Sequence, residues 1–229
     1  MAGISTENSY KTARRNMLLG QLIPHQINDP DILNAIGNVA RETFLPERLR
    51  SRAYADETIF TDAKAIMFSP RITANLLLSA ELHKTDFVLD VYAGTGYTSA
   101  VIAALCQAVI AIEADSSLCE TAQQILIDSE TDNVAVLNQN PEDGFPSQAP
   151  FDVIFVEGII SHIPDNLLSQ LAENGRLICI TAKETDTTAK ALKIERKKDT
   201  FFQTPLFDLD LSGFPRNRFY KSFVFETVS

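Results

Sequence analysis

The sequence predicts an α/β fold built on a mostly parallel sheet, preceded by a helical extension. Two observations carry this. From Thr85 onward, short apolar runs alternate with stretches of helical periodicity, the pattern of successive βαβ units. The first such run ends in a glycine-rich turn that opens a helix, Gly94-Thr95-Gly96. Before Thr85 the apolar positions keep helical spacing, so residues 1–83 are expected to form a helical extension. Residues 84–229 are expected to form the sheet-containing core.

Size and composition agree with this reading. The chain has 229 residues, 45% hydrophobic and 22% charged, enough to bury a full core and ordinary for a globular domain. The longest apolar runs, such as Val101–Leu105 and Phe151–Val156, fall far short of the roughly 20 residues that span a bilayer. The first residues, MAGISTENSYKTARRN, contain no apolar signal region, so a cytoplasmic protein with no membrane partner is expected. Cys106, Cys119 and Cys179 are odd in number and lack CxxC spacing. They are expected to be reduced thiols, with no metal site.

In chain order, residues 8–22 read as a helix with Met17, Leu18 and Leu22 on its apolar stripe. Asn28-Asp29-Pro30 starts a second helix carrying Ile32, Leu33, Ile36 and Val39. Pro46 interrupts the next segment, and residues 53–60 read as extended. Ser69-Pro70 precedes a third helix over Ile72–Leu82. Phe87–Val91 is the first buried strand, followed by a helix over 97–107 and a second strand, Ala108–Glu113. Residues 115–129 form an amphipathic helix capped by Asp115 or Ser116. Val134–Leu137 and Val153–Val156 are further strands. Pro164–Ala172 is helical, stopped by Gly175 before strand Arg176–Ile180. Phe219, Lys221, Phe223 and Phe225 alternate at period two and suggest an antiparallel hairpin at the sheet edge.

The net charge of −10 is uneven. Residues 81–175 hold 15 acidic residues against one basic, Lys84. That surface would repel phosphate backbones, so nucleic acid is not an expected partner. Arginines 14, 15, 41, 48, 50, 52 and 71 concentrate in the first third. They form either a solvated helical face or a receiver for an anion such as a substrate carboxylate.

Open α/β sheets bind ligands at the carboxyl ends of their strands, at the crossover point. Here the first strand ends in Asp90-Val91-Tyr92-Ala93-Gly94-Thr95-Gly96-Tyr97, and the second ends in Glu113. An acid about 20 residues beyond the first strand is placed to hold ribose hydroxyls. The turn is one glycine short of GxGxxG, and glycines can also serve only to make a tight turn. Asp90 would repel a pyrophosphate but attract a cation, and S-adenosylmethionine carries an ammonium and a sulfonium.

These residues belong to a longer pattern. Leu33-Asn34-Ala35-Ile36, Val39 through Pro46 and Ala53-Tyr54-Ala55-Asp56 precede the sheet. Val88-Leu89-Asp90-Val91, Gly94-Thr95-Gly96-Tyr97, Pro150 through Val156 and Gly175-Arg176-Leu177 follow. Together they resemble the protein-L-isoaspartate O-methyltransferase family, over nearly the whole chain up to Ile180. The resemblance implies a Rossmann-like S-adenosylmethionine-dependent methyltransferase fold: a mostly parallel seven-stranded sheet with helices on both faces and a helical N-terminal extension on the substrate side. It implies methyl transfer to the free carboxylate of isoaspartyl residues in damaged proteins. Asp90, Gly94 and Gly96, with Tyr97 beside them, would line the methionine part of the cofactor. Glu113 would hold the ribose, and Asn140 would lie near the adenine.

The segment Thr204–Phe214 departs from the usual family ending, and three further places depart from the family pattern. Tyr92 replaces the glycine that opens the cofactor turn; its phenol either fills the cofactor's room or points away as a packed aromatic. Gln139-Asn140 replaces a Gly-Asp pair, and an Asn oxygen can still accept from an amino group. Phe68 holds the place of the family's substrate-contacting serine, with Ser69, the candidate catalytic residue, one position off. The expected function is a carboxyl methyltransferase of the isoaspartyl type. The alternatives are a catalytically degenerate binding protein and a methyltransferase with another acceptor.

Overall fold

The computed structural model describes residues 2–61 and 65–215. Its sheet has seven strands: β3 (Phe87–Val91), β4 (Ala108–Glu113), β5 (Val134–Asn138), β6 (Phe151–Ile160), β7 (Leu171–Thr181), β8 (Thr188–Lys197) and β9 (Thr200–Asp210). Their spatial order is β5-β4-β3-β6-β7-β8-β9, parallel from β5 to β7 and antiparallel across β8 and β9. The chain moves outward from β3 through β4 to β5, then returns to place β6 on the other side of β3. The crossover point therefore lies at the carboxyl ends of β3 and β6. A small separate hairpin, β1 (Ile59–Phe60) and β2 (Ile66–Met67), belongs to the N-terminal part.

Strand alternation divides the interior into two cores. Val88, Val109, Val153 and Phe155 face one side, with Met17, Ile36, Phe44, Leu77 and Val101. Leu89, Val91, Ile112 and Val156 face the other, with Leu167 and Phe151. The N-terminal helices α1 (Ala2–Met17), α2 (Pro30–Asn38) and α3 (Pro70–Ala80) contribute to the first core, as do α4 (Tyr97–Ala103) and α5 (Ser116–Asp128). The short α6 (Asp165–Ser169) covers part of the second. This is the mostly parallel, seven-stranded sheet with helices on both faces that was expected.

Several boundaries move. α1 begins at Ala2, and Leu18–Leu22 continues it as one π turn. Residues 53–60 are extended only at Ile59–Phe60; the preceding stretch turns after a 3-10 helix, Glu47–Arg52. α3 starts at Pro70 under the Ser69 cap and ends at Ala80, where Glu81 turns left-handed at φ 49°. The helix after the glycine turn stops at Ala103. α6 ends at Ser169, and Gly175 does not stop it. Gly175 lies inside β7 at a register irregularity opposite β6, where an added Cβ would meet the Ala172 carbonyl oxygen at 2.9 Å. Asp115 caps α5 as expected, accepting from the amides of Ser117 and Leu118. The hairpin read at Phe219–Phe225 lies outside the described residues; within them, β8 and β9 close that edge with an antiparallel hairpin.

Candidate functional site

The turn after β3 gathers the sequence candidates at the crossover point. It needs three left-handed residues: Tyr92 at φ 62°, Gly94 at φ 56° and Gly96 at φ 85°. Glycine adopts this conformation freely, whereas an L side chain such as Tyr92 pays roughly 1–2 kcal/mol. Gly94 and Gly96 also permit close packing. An added Cβ would meet Ala65 Cβ at 3.3 Å from Gly94, and Ala122 Cβ at 3.3 Å from Gly96.

Asp90 ends β3 fully buried. Ser99 Oγ donates to its Oδ2 at 2.5 Å, while Oδ1 has no hydrogen-bond partner. Glu157, on β6, is also buried. Thr98 Oγ1 donates to its Oε2 at 3.0 Å, and Oε1 is left without a partner. The two carboxyls are within hydrogen-bonding reach of each other. Burial raises both above the ordinary carboxyl range: Asp90 to about 7, and Glu157 well upward with the Asp90 charge adding to the effect.

Glu113 sits at the end of β4 with its carboxylate turned toward backbone. Gly94 N–H donates to Oε2 at 3.0 Å, and the amides of Ala114 and Asp115 donate to Oε1 at 2.8 and 3.1 Å. Asn138 braces the same strand end, its Nδ2 donating to the Glu113 and Ala114 carbonyls. Tyr92 is half-buried against the second core. Burial raises its phenol pKa, as do the Glu142 and Glu113 charges. Asn140 is exposed and caps a short 3-10 turn, accepting from Glu142 N–H and donating to Asp143. Tyr97 is buried below the turn, with its ring edge against Phe44.

On the N-terminal side, Arg41 is fully buried. It donates to the carbonyls of Ala53 at 2.8 Å and Phe68 at 2.5 Å, and its guanidinium stands 4.7 Å from the Tyr97 ring centre. Arg14 binds Glu42 and Tyr54, and Tyr54 donates in turn to Glu42. These two arginines are therefore interior braces, unlike the solvated face considered from sequence. Phe68 is core, and the Ser69 hydroxyl caps α3 by accepting from Ile72 N–H at 3.4 Å.

Two cavities adjoin the turn. The larger, about 570 Å³, is lined by Thr43, Phe44, Arg50, Thr61, Thr95 and Leu118, among others. The smaller is lined by Gly94, Thr98, Glu157 and β2, and holds about 10 Å³. Thr61 and Thr95 line both. Among the described residues no cluster of three or more metal-ligating side chains occurs. The three cysteines are free and buried, and burial holds the thiols of Cys106 and Cys179 up at about 12.

The sequence profile of the "Protein-L-isoaspartate(D-aspartate) O-methyltransferase" family matches residues 13–206. The chain belongs to this family. The protein-L-isoaspartate O-methyltransferase of Brucella anthropi is 34% identical, covering 78% of this chain and 88% of that protein. That of Aliivibrio fischeri is 35% identical over 189 residues, covering 82% and 89%. Among solved structures, a protein-L-isoaspartate O-methyltransferase aligns with TM-score 0.77 over 86% of this chain and 64% of that one. A Plasmodium falciparum protein described as a putative protein-L-isoaspartate O-methyltransferase, in complex with S-adenosyl-L-homocysteine, aligns with TM-score 0.72 over 87% and 95%. Both are 24% identical and speak to the fold.

Within the family frame, the structure brings Asp90, Tyr92, Gly94, Gly96 and Glu113 together at the carboxyl ends of the neighbouring strands β3 and β4. It places Tyr97 beneath them and Asn140 on the neighbouring loop. Sequence reasoning missed Glu157, which directly follows the strand read at Val153–Val156. It also missed the hydroxyls of Thr98 and Ser99. An acid at the carboxyl end of a strand beside the crossover was the available signal.

Proposed function

We propose that the protein is an S-adenosylmethionine-dependent carboxyl methyltransferase acting on isoaspartyl residues in proteins or peptides. The observation that carries this is the family match over residues 13–206, which spans both the N-terminal extension and the sheet. The catalytically degenerate reading is the less favoured one, because the match is not confined to the fold's generic half. Among the described residues no helix is long and apolar enough to cross a membrane. A cytoplasmic location is proposed with the function.

The chemistry of the turn fits a cationic nucleoside. Two buried carboxyls each leave an oxygen without a donor beside Gly94, and a positive group is the partner they lack. Volume is the constraint. A space of about 10 Å³ cannot take a ligand that needs several hundred, so β2 must withdraw from Gly94. Asp90, Gly94 and Gly96 would then hold the methionine part, Glu113 the ribose and Asn140 the adenine side. The cofactor supplies a methyl group activated on a sulfonium.

The acceptor carboxylate has a pKa near 4 and is already ionised at neutral pH, so the chain need provide no general base. What the chain provides is position and exclusion of water. The larger cavity reaches the turn through Thr61 and Thr95 and carries Arg50 on its wall. We assign it to the substrate chain, with Arg50 drawing the anionic acceptor inward and residues 1–83 as the substrate side. Ser69, bound to its cap, holds the start of α3 and the Phe68 backbone near Arg41.

The test has two arms on the full-length protein. Titration calorimetry with S-adenosylhomocysteine should detect binding. A methylation assay should label an isoaspartyl peptide and leave its aspartyl twin unlabelled. No binding at millimolar ligand ends the cofactor assignment. Binding without labelling of the isoaspartyl peptide ends the acceptor assignment.

A further inference from the structure

The family pattern accounts for Asp90 but not for the second carboxyl facing it. Asp90 and Phe155 are register partners across β3 and β6, and Glu157 follows Phe155 by two residues, on the same face of the sheet. Hydroxyls from consecutive residues of α4 reach one oxygen of each acid, leaving Asp90 Oδ1 and Glu157 Oε1 buried with no donor. Two ionised carboxylates are acceptors only and cannot satisfy each other; a single proton between them can.

Among the described residues, the other charged groups around the pair do not neutralise it. Glu113, from β4, adds repulsion to both acids. Arg41, from the N-terminal extension, stacks over the Tyr97 ring and donates to two backbone carbonyls, not to either acid. Tyr97 is buried and neutral, its pKa raised chiefly by that burial. Among the described residues no cation acts on either acid, so the site is a buried negative pair that retains a proton. Glu157 also lines the small cavity beside Gly94, so a ligand entering there would meet this carboxyl.

We infer that Glu157 is a second cation-recognising carboxyl of the cofactor site, and that capture of the cofactor's positive group expels to solvent the proton Glu157 shares with Asp90. The balance is simple. Before binding, the pair carries one proton and one negative charge. Afterwards it carries none and two, opposite the ligand's cation, and one proton has passed to the buffer. Cofactor affinity is thereby tied to pH through groups that touch the ligand. This inference rests on the cofactor assignment above.

Calorimetry of the full-length protein with S-adenosylmethionine, in phosphate and in Tris at the same pH, counts the protons exchanged. Release approaching one proton is expected, with affinity rising about tenfold per pH unit across the range where the pair holds that proton. Glu157→Gln should abolish the release and flatten the pH profile. Thr98→Val removes the hydroxyl that stabilises the ionised Glu157 and should move the profile to higher pH while keeping the release. S-adenosylhomocysteine separates the two cations: release with S-adenosylmethionine alone assigns the pair to the sulfonium, and release with both ligands assigns it to the ammonium. Binding of S-adenosylmethionine with no proton exchanged overturns this inference and leaves the cofactor assignment standing. No binding of either ligand at millimolar concentration overturns both.

Discussion

Thr98 and Ser99, adjacent on the first turn of α4, each donate to a different buried acid, Thr98 to Glu157 and Ser99 to Asp90. One helix start thus holds in register two carboxyls that arrive on separate strands. This ties the glycine turn to β6, and it concentrates negative charge at the crossover point where burial makes that charge costly.

The cost predicts a stability profile. Both acids have folded-state pKa values above those of an unfolded chain, Asp90 at about 7 and Glu157 also well raised. Below about pH 4 both states are protonated and nothing is lost. As pH rises, the unfolded chain ionises first, so stability falls through neutrality and continues to fall until the folded pair ionises. Glu157→Gln replaces the shared proton with a fixed N–H donor. It should raise stability at pH 8 by about 2 kcal/mol, an increase in Tm of roughly 5 °C. The gain should shrink steadily toward pH 4.5, as followed by thermal melts. A variant less stable than the parent at pH 8 would contradict the buried-pair account.

Tyr92 supplies a second prediction. Its left-handed backbone is strained, and its ring packs half-buried against the second core. Tyr92→Gly removes the strain, roughly 1–2 kcal/mol, and loses the burial of half a ring, a term of similar size and opposite sign. Tm should change little. Affinity for S-adenosylhomocysteine should rise at least tenfold by calorimetry, because glycine leaves the cofactor the room that a phenol at this position takes up. An unchanged affinity would mean the ring points away from the ligand.

How much of this was legible beforehand varies by residue. The β3 and β4 limits were readable because buried parallel strands are unbroken apolar runs closed by Asp90 and Glu113. Asp115 was readable because an N-cap acts through its own two following amides. Gly175 misled, since a glycine after a helix serves equally well inside a strand irregularity, and local sequence does not separate the two. The burial of Arg41 was also hidden, because an arginine in a basic stretch looks solvated until the carbonyls of Ala53 and Phe68 fold around it. Glu157 could be seen at a strand end, but its pairing with Asp90 depends on the β3–β6 register, which no local pattern encodes.

Ser69 permits a clean separation of structural and chemical roles. Its hydroxyl accepts from Ile72 N–H at the start of α3. Ser69→Ala should lower stability by about 1 kcal/mol, the ordinary value of an N-cap, and so lower Tm by roughly 2–4 °C. Because the acceptor carboxylate is already ionised, kcat for an isoaspartyl peptide at a temperature well below Tm should stay within twofold of the parent. A kcat loss of a hundredfold with a small Tm change would instead place Ser69 in contact with the reacting groups.

Arg41 is the brace between the extension and the turn, and its geometry makes lysine a poor substitute. The guanidinium spans two carbonyls from different segments, Ala53 and Phe68, while lying over the Tyr97 ring. A lysine ammonium is a point donor that cannot hold that fork and stack at once. Charged hydrogen bonds are worth about 1.5–3 kcal/mol each, and a buried ammonium left partly unsatisfied adds a penalty. Arg41→Lys should therefore cost about 2–4 kcal/mol in urea unfolding. Phe68 carries the strand-to-helix connection into α3, so loosening that connection should also weaken positioning of the peptide. KM for the isoaspartyl peptide should rise several-fold while kcat at saturation falls less than twofold. Equal losses in both constants, or a stability change under 1 kcal/mol, would show that the fork does not hold the extension against the turn.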